Sequence, residues 1–204
     1  RHDLERQRRF AEQVAHPAID RCEAHHEHDR RDRERQEADE LDRAAQNNDA
    51  ERSLRVFTDL KDRYPRTEFA GQGGLLSAKL QFEKGQLDRA RANLSWVADN
   101  ATDEDYRSIA RLRLAGLMFD AKQFDEALKQ LEASKSASFA ALVSDRRGDI
   151  LLAQGKRDEA KAAYNAAYKA MDERMNYRQL VDAKLTALGA APVAASAAAS
   201  GVAP

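Results

Sequence analysis

Apolar residues recur at helical spacing through the middle of this chain, in paired runs broken by short polar turns. Ile109, Leu112, Leu117 and Phe119 precede a Lys122-Gln123 turn, and Phe124, Ala127, Leu128 and Leu131 follow it. The run before has Leu76, Leu80 and Phe82, a Gly85-Gln86 turn, then Leu87, Ala90, Leu94 and Val97. The run after predicts a helix from Asp145 to Leu152, a turn at Gly155-Lys156-Arg157, and a helix from Asp158 to Met171. A partial copy opens the series with Leu41, the turn Asn47-Asn48-Asp49, then Leu54, Phe57 and Leu60. Pro65 ends its second helix, because proline lacks the helical donor and disfavours helix in the residue before it.

Small residues mark where paired helices cross closely. Ala78 and Ala90, Ala115 and Ala127, and Gly148 and Ala160 are each twelve positions apart. The second-helix members, Ser53, Ala90, Ala127 and Ala160, follow one another at 37, 37 and 33 residues. A large residue lies four positions after each: Phe57, Leu94, Leu131 and Tyr164. That period is close to the roughly 34 residues of a tetratricopeptide unit. The expected fold is all-α, a tetratricopeptide-like helical-hairpin solenoid of about three and a half repeats with disordered ends. An irregular helical bundle is the alternative that the same periodicity permits.

Composition divides the 204 residues into three zones. Residues 1–40 hold all five histidines, the single cysteine and nine arginines but no lysine. They read as a charged His/Arg-rich segment, either disordered or a misread start. Residues 41–189 form the repeat domain, with all ten lysines and the single tryptophan. Residues 190–204 contain only Ala, Val, Ser, Gly and Pro, too little apolar bulk to order, and are expected to be a disordered Ala-rich tail. The net charge of −1 gives no global field for nucleic acid. Residues 1–40 carry twelve acids against nine arginines, so no nucleic-acid partner is expected there either. No run of 18 apolar residues exists.

Three stretches carry a resemblance. They are Asp105 to Ala115, Ala127-Leu-Lys-Gln-Leu131, and Phe139 to Asp149 running on through Gly155-Lys156 to Ala160 and Tyr164. Together they resemble the tetratricopeptide-like family of YfgM-type ancillary Sec translocon subunits, over residues 41–189. The resemblance implies a bacterial inner-membrane protein with one membrane anchor and a periplasmic repeat domain. Its implied partners are the Sec translocon and a periplasmic folding factor, and its implied role is to assist newly exported chains. The anchor would fall within residues 1–40, where this sequence is charged instead; as written, the chain would be soluble. A soluble cytoplasmic tetratricopeptide scaffold or regulator is the competing function.

The candidate chemistry is sparse. Cys22, His25, His26 and His28 have ligand types suited to zinc or copper, but no second ligand group follows, so no metal and no cofactor is expected. Nothing orients a nucleophile, so no enzyme is expected. Gly71-Gln72-Gly73-Gly74 lacks the order of a phosphate loop and reads as a flexible inter-helix turn. The candidate partner-binding residues are Trp96, an aromatic anchor if it faces the inner surface, and Arg107, Arg111 and Arg147. These arginines, together with Arg113 and Arg146, fall on first helices, where they can grip carboxylates of a partner. The competing readings are inter-repeat packing for Trp96 and a solvated face for the arginines.

Overall fold

The hairpin turns show how the sequence builds this fold. In each, one residue takes a left-handed backbone conformation: Asn48 (φ 53°), Gly85 (φ 73°), Lys122 (φ 60°) and Gly155 (φ 78°). Each stands five residues before the small second-helix residue, so the turns share its spacing. The left-handed residue donates back to the helix it ends, and so does its successor. Gly85 N–H bonds Phe82 O at 2.9 Å and Gln86 N–H bonds Gln81 O at 2.8 Å. The pairs Lys122 to Phe119 and Gln123 to Met118 repeat this, both at 2.8 Å. These bonds satisfy carbonyls that a helix end leaves without partners.

The structure, a computed structural model, describes residues 27–190 apart from residue 173. Among them are nine α-helices and one 3-10 turn. Helix α1 spans residues 27–46. It is followed by α2 (Ala50–Arg63), α3 (Glu68–Glu83), α4 (Leu87–Asn100), α5 (Glu104–Asp120) and α6 (Phe124–Glu132). After the 3-10 turn Ala137–Phe139 come α7 (Ala140–Ala153), α8 (Arg157–Ala170) and α9 (Asn176–Ala187). Each helix packs on the next, and α3 also meets α5, as α5 meets α7. The first helices of the hairpins therefore form one surface of the array, and α9 closes its C-terminal end against α8.

The expected all-α array of hairpins is what the chain forms. Its opening unit is a full hairpin, because α1 is longer than the partial copy starting at Leu41 implied. Residues 27–40, expected to lie outside the domain, belong to this helix. Glu37 is bonded to Arg63 (3.2 Å) and Glu40 to Arg52 (3.0 Å) across to α2. Leu41 packs with Val56, Leu60 and Tyr64 in the first core cluster. Residues 1–26, with Cys22, His25 and His26, lie outside the described residues, as do residues 191–204. His28 is exposed and lies 3.0 Å from Asp32, one helical turn on.

The glycine-rich segment corrects a second expectation. Gly71, Gly73 and Gly74 are buried inside α3, not in a turn. A Cβ on Gly74 would stand 2.3 Å from Val97 Cγ2 and 2.9 Å from Phe57 Cε2. One on Gly73 would stand 2.9 Å from Leu41 Cδ2. Helix α3 is the crossing point of α1, α2 and α4, and only glycine lets their side chains reach its backbone. Glycine in a helix costs about 1 kcal/mol relative to alanine; burial of Phe57, Leu60 and Val97, each fully enclosed, offsets that. Gly148 follows the same logic on α7, where the Tyr164 ring fills the space a Cβ would take (2.5 Å).

Candidate partner-binding site

Between the second and third hairpins a groove of about 380 Å³ opens on the first-helix surface. Ala78 and Phe82 of α3, Leu94 of α4 and Leu117 of α5 make it apolar. Phe82 is half exposed, which is unusual for a residue of that size. Its counterpart one repeat later, Phe119, is partly buried and packs on Phe124, ring centres 5.7 Å apart. Leu87 stands where Phe124 stands in the next unit and is also exposed, so the second hairpin leaves this turn-proximal pair uncovered.

Charge brackets the groove along α5. Arg113 lies at one end and Asp120, seven residues or roughly 10 Å further along the helix, at the other. Arg113 donates one Nη1 bond to Leu75 O (3.0 Å), and burial pushes its guanidinium below the usual arginine range. No carboxylate of the described residues lies within ion-pair distance of it. Lys79, also on the wall, pairs with Glu83 at 3.7 Å.

Of the residues singled out from sequence, Arg113 lines this groove, whereas Trp96, Arg107, Arg111 and Arg147 do not. Trp96 is half-buried on α4, a second helix, and meets the buried Phe57 ring edge-on at 5.4 Å. It packs between hairpins rather than facing the first-helix surface. Arg107 donates to Glu104 Oε2 (3.0 and 2.5 Å) and to Ala101 O (2.7 Å), the residue that ends α4. The Arg107–Glu104 bond holds the Glu104 carboxyl below the usual carboxylate range. Arg111 donates to Ala98 O (3.0 Å) and Ala133 O (2.8 Å), so it caps α4 and α6 together. Both guanidiniums are engaged inside the fold, because helix C-termini present carbonyls and a partial negative charge that attract cations. Arg147 is exposed, in a smaller groove of about 270 Å³ with Ser144, Leu151 and Ala163.

Sequence reasoning missed a partly buried polar cluster at the C-terminal end of the described residues. Tyr177 OH donates to Asp145 Oδ2 at 2.7 Å, and Lys184 Nζ bonds Asp145 Oδ1 (2.8 Å) and Asp149 Oδ1 (2.7 Å). Tyr164 OH donates to Asp149 Oδ1 at 2.8 Å. Asp145 is almost fully buried. Burial, followed by the Asp145 bond, pushes the Tyr177 phenol up to about 12, and burial followed by the Asp149 bond pushes Tyr164 up as well. The cluster ties α9 to α7 and α8. Among the described residues no group of His, Cys, Asp and Glu is arranged to hold a metal, and no helix is long and apolar enough to cross a membrane.

The model of the tetratricopeptide repeat-like domain family matches residues 23–190. The chain belongs to that family. Within this non-enzymatic tetratricopeptide repeat-like family, curated relatives share one description. The ancillary SecYEG translocon subunit of Neisseria gonorrhoeae is 33% identical over 129 residues, 63% of this chain and 62% of that protein. The ancillary SecYEG translocon subunit of Escherichia coli is 38% identical over 100 residues, 48% of each chain. The one from Haemophilus influenzae is 35% identical over 102 residues, 50% of each. This chain thus spans between about half and three fifths of the length of these relatives. No solved structure matches it.

Proposed function

We propose that this tetratricopeptide repeat-like domain is the protein-binding part of an ancillary Sec translocon subunit, acting at the bacterial inner membrane on its periplasmic side. Its work is reversible docking: a partner or a newly exported chain lies on the first-helix surface, and a periplasmic folding factor shares that surface. The observation that carries this reading is the likeness of the repeat region to three proteins each described as an ancillary SecYEG translocon subunit. The apolar groove beside Phe82 supports it, since exposed apolar surface on a repeat array marks an interaction site. Arg147 contributes a solvent-facing cation to the docking surface. Trp96, Arg107 and Arg111 act on that surface by fixing the angle between hairpins.

A photo-crosslinking amino acid at Lys79 or Arg147, in the chain expressed from its natural gene, tests this in intact cells. The expected products join the chain to SecYEG components and to exported proteins. Products that join it only to cytoplasmic proteins overturn the reading and favour a cytoplasmic scaffold.

A further inference from the structure

Gly116 has no structural reason to be glycine. It lies inside α5 with ordinary helical geometry, and a Cβ built on it would meet nothing within 4 Å. The buried glycines of α3 and α7 behave differently, each with a neighbouring side chain where its Cβ would stand. Counterparts of Gly116 in the adjoining repeats are Lys79 and Asp149, so the repeat pattern does not ask for glycine there either. A mid-helix glycine is a net cost to folding, and close approach of a foreign backbone is the remaining use for one. Gly116 lines the groove, between Leu117 and Arg113.

We infer that this groove takes an extended peptide segment of a partner protein, with an apolar side chain between Phe82, Leu94 and Leu117 and an acidic side chain on Arg113. The missing Cβ of Gly116 lets the peptide backbone lie against α5. Charge sets the direction. Arg113 uses one N–H on Leu75 O and keeps others for a carboxylate, while Asp120 at the far end repels a second acid. The 10 Å or so between those two ends is spanned by about three extended residues, the length of an acid–apolar–apolar run. Arg113 is exposed, and its bond to Leu75 O fixes the fork so that its remaining donors meet a carboxylate in set geometry, while a basic neighbour is repelled.

This inference rests on the protein-docking reading above and adds its ligand chemistry. The test uses the full chain and three fluorescein-labelled peptides, read by fluorescence anisotropy: Gly-Ser-Glu-Leu-Phe-Ser-Gly, a version with Lys for Glu, and a version with Ser-Ser for Leu-Phe. The first is expected to bind at least tenfold more tightly than either variant. Gly116→Leu is expected to abolish binding with the helical signal unchanged, because open space receives the new side chain. Gly116→Ala is expected to raise the melting temperature yet weaken binding, a combination that a glycine serving only the fold does not give. Arg113→Gln is expected to bring the Glu and Lys peptides within about twofold of each other. Equal binding of Glu and Lys peptides to the native chain, unaltered binding by Gly116→Leu, or no binding at millimolar peptide each overturns the inference. Crosslinking to SecYEG that persists after such a failure leaves the translocon reading standing; peptide binding without such crosslinks removes the translocon and keeps the groove.

Discussion

Lys122 holds a backbone conformation that side chains with a Cβ disfavour. Its φ of 60° matches the position glycine fills at Gly85 and Gly155 and asparagine at Asn48. The left-handed region costs an ordinary residue about 1 kcal/mol relative to glycine, and asparagine less. Lys122→Gly is therefore expected to stabilise the chain by about 0.5–1 kcal/mol, measured as a shift in urea midpoint at constant slope. No shift, or a loss, shows that the lysine stem makes up the difference. The turn itself was legible from Lys122-Gln123 and the small-residue register. The roles of Arg107 and Arg111 were not, because their acceptors are main-chain carbonyls at Ala101, Ala98 and Ala133, which carry no mark in the sequence.

Among the helices, α9 is held by chemistry as much as by apolar packing. Val181 and Leu185 bury against the last core cluster, while Tyr177 and Lys184 converge on Asp145. Tyr177 ionises near 10 in the unfolded chain and near 12 in the folded one, so the unfolded state loses its proton first. The stability that this phenol contributes is complete below pH 10 and falls as pH rises from 10 to about 12. Tyr177→Phe is expected to flatten that decline by up to about one proton, read from unfolding free energies across the interval. Parallel profiles for the two proteins show that the phenol does not sense folding. Helices with a strong stripe, such as α2 and α6, could be read directly from apolar spacing. Helix α3 could not, because Gly71, Gly73 and Gly74 look like a loop until Leu41, Phe57 and Val97 are known to converge there. Helix α1 was obscured by alternating charge, whose partners Arg52 and Arg63 sit on another helix. The groove escaped for a related reason: Phe82 and Gly116 belong to different hairpins, and only their stacking makes them neighbours.

At the scale of the molecule, stacked hairpins have stability concentrated in nearest-neighbour interfaces. The interface between the second and third hairpins differs from a purely apolar one. Arg111 joins the ends of α4 and α6 through Ala98 O and Ala133 O, with its side chain mostly enclosed. Its removal leaves two helix-end carbonyls without that donor and is expected to cost about 1–3 kcal/mol. Spin labels at Asp99 and Glu132, in a chain whose only cysteine, Cys22, is replaced by serine, report the spacing of those two ends. Arg111→Ala is expected to broaden the distance distribution; an unchanged width shows that apolar contacts alone set the angle. Mechanically, the guanidinium is a rivet between the second and third hairpins. It pins the ends of α4 and α6 that lie away from the hairpin turns, so among the described residues the turn end of the same joint, where Phe82 and Asp120 border the groove, is the end left without such a pin.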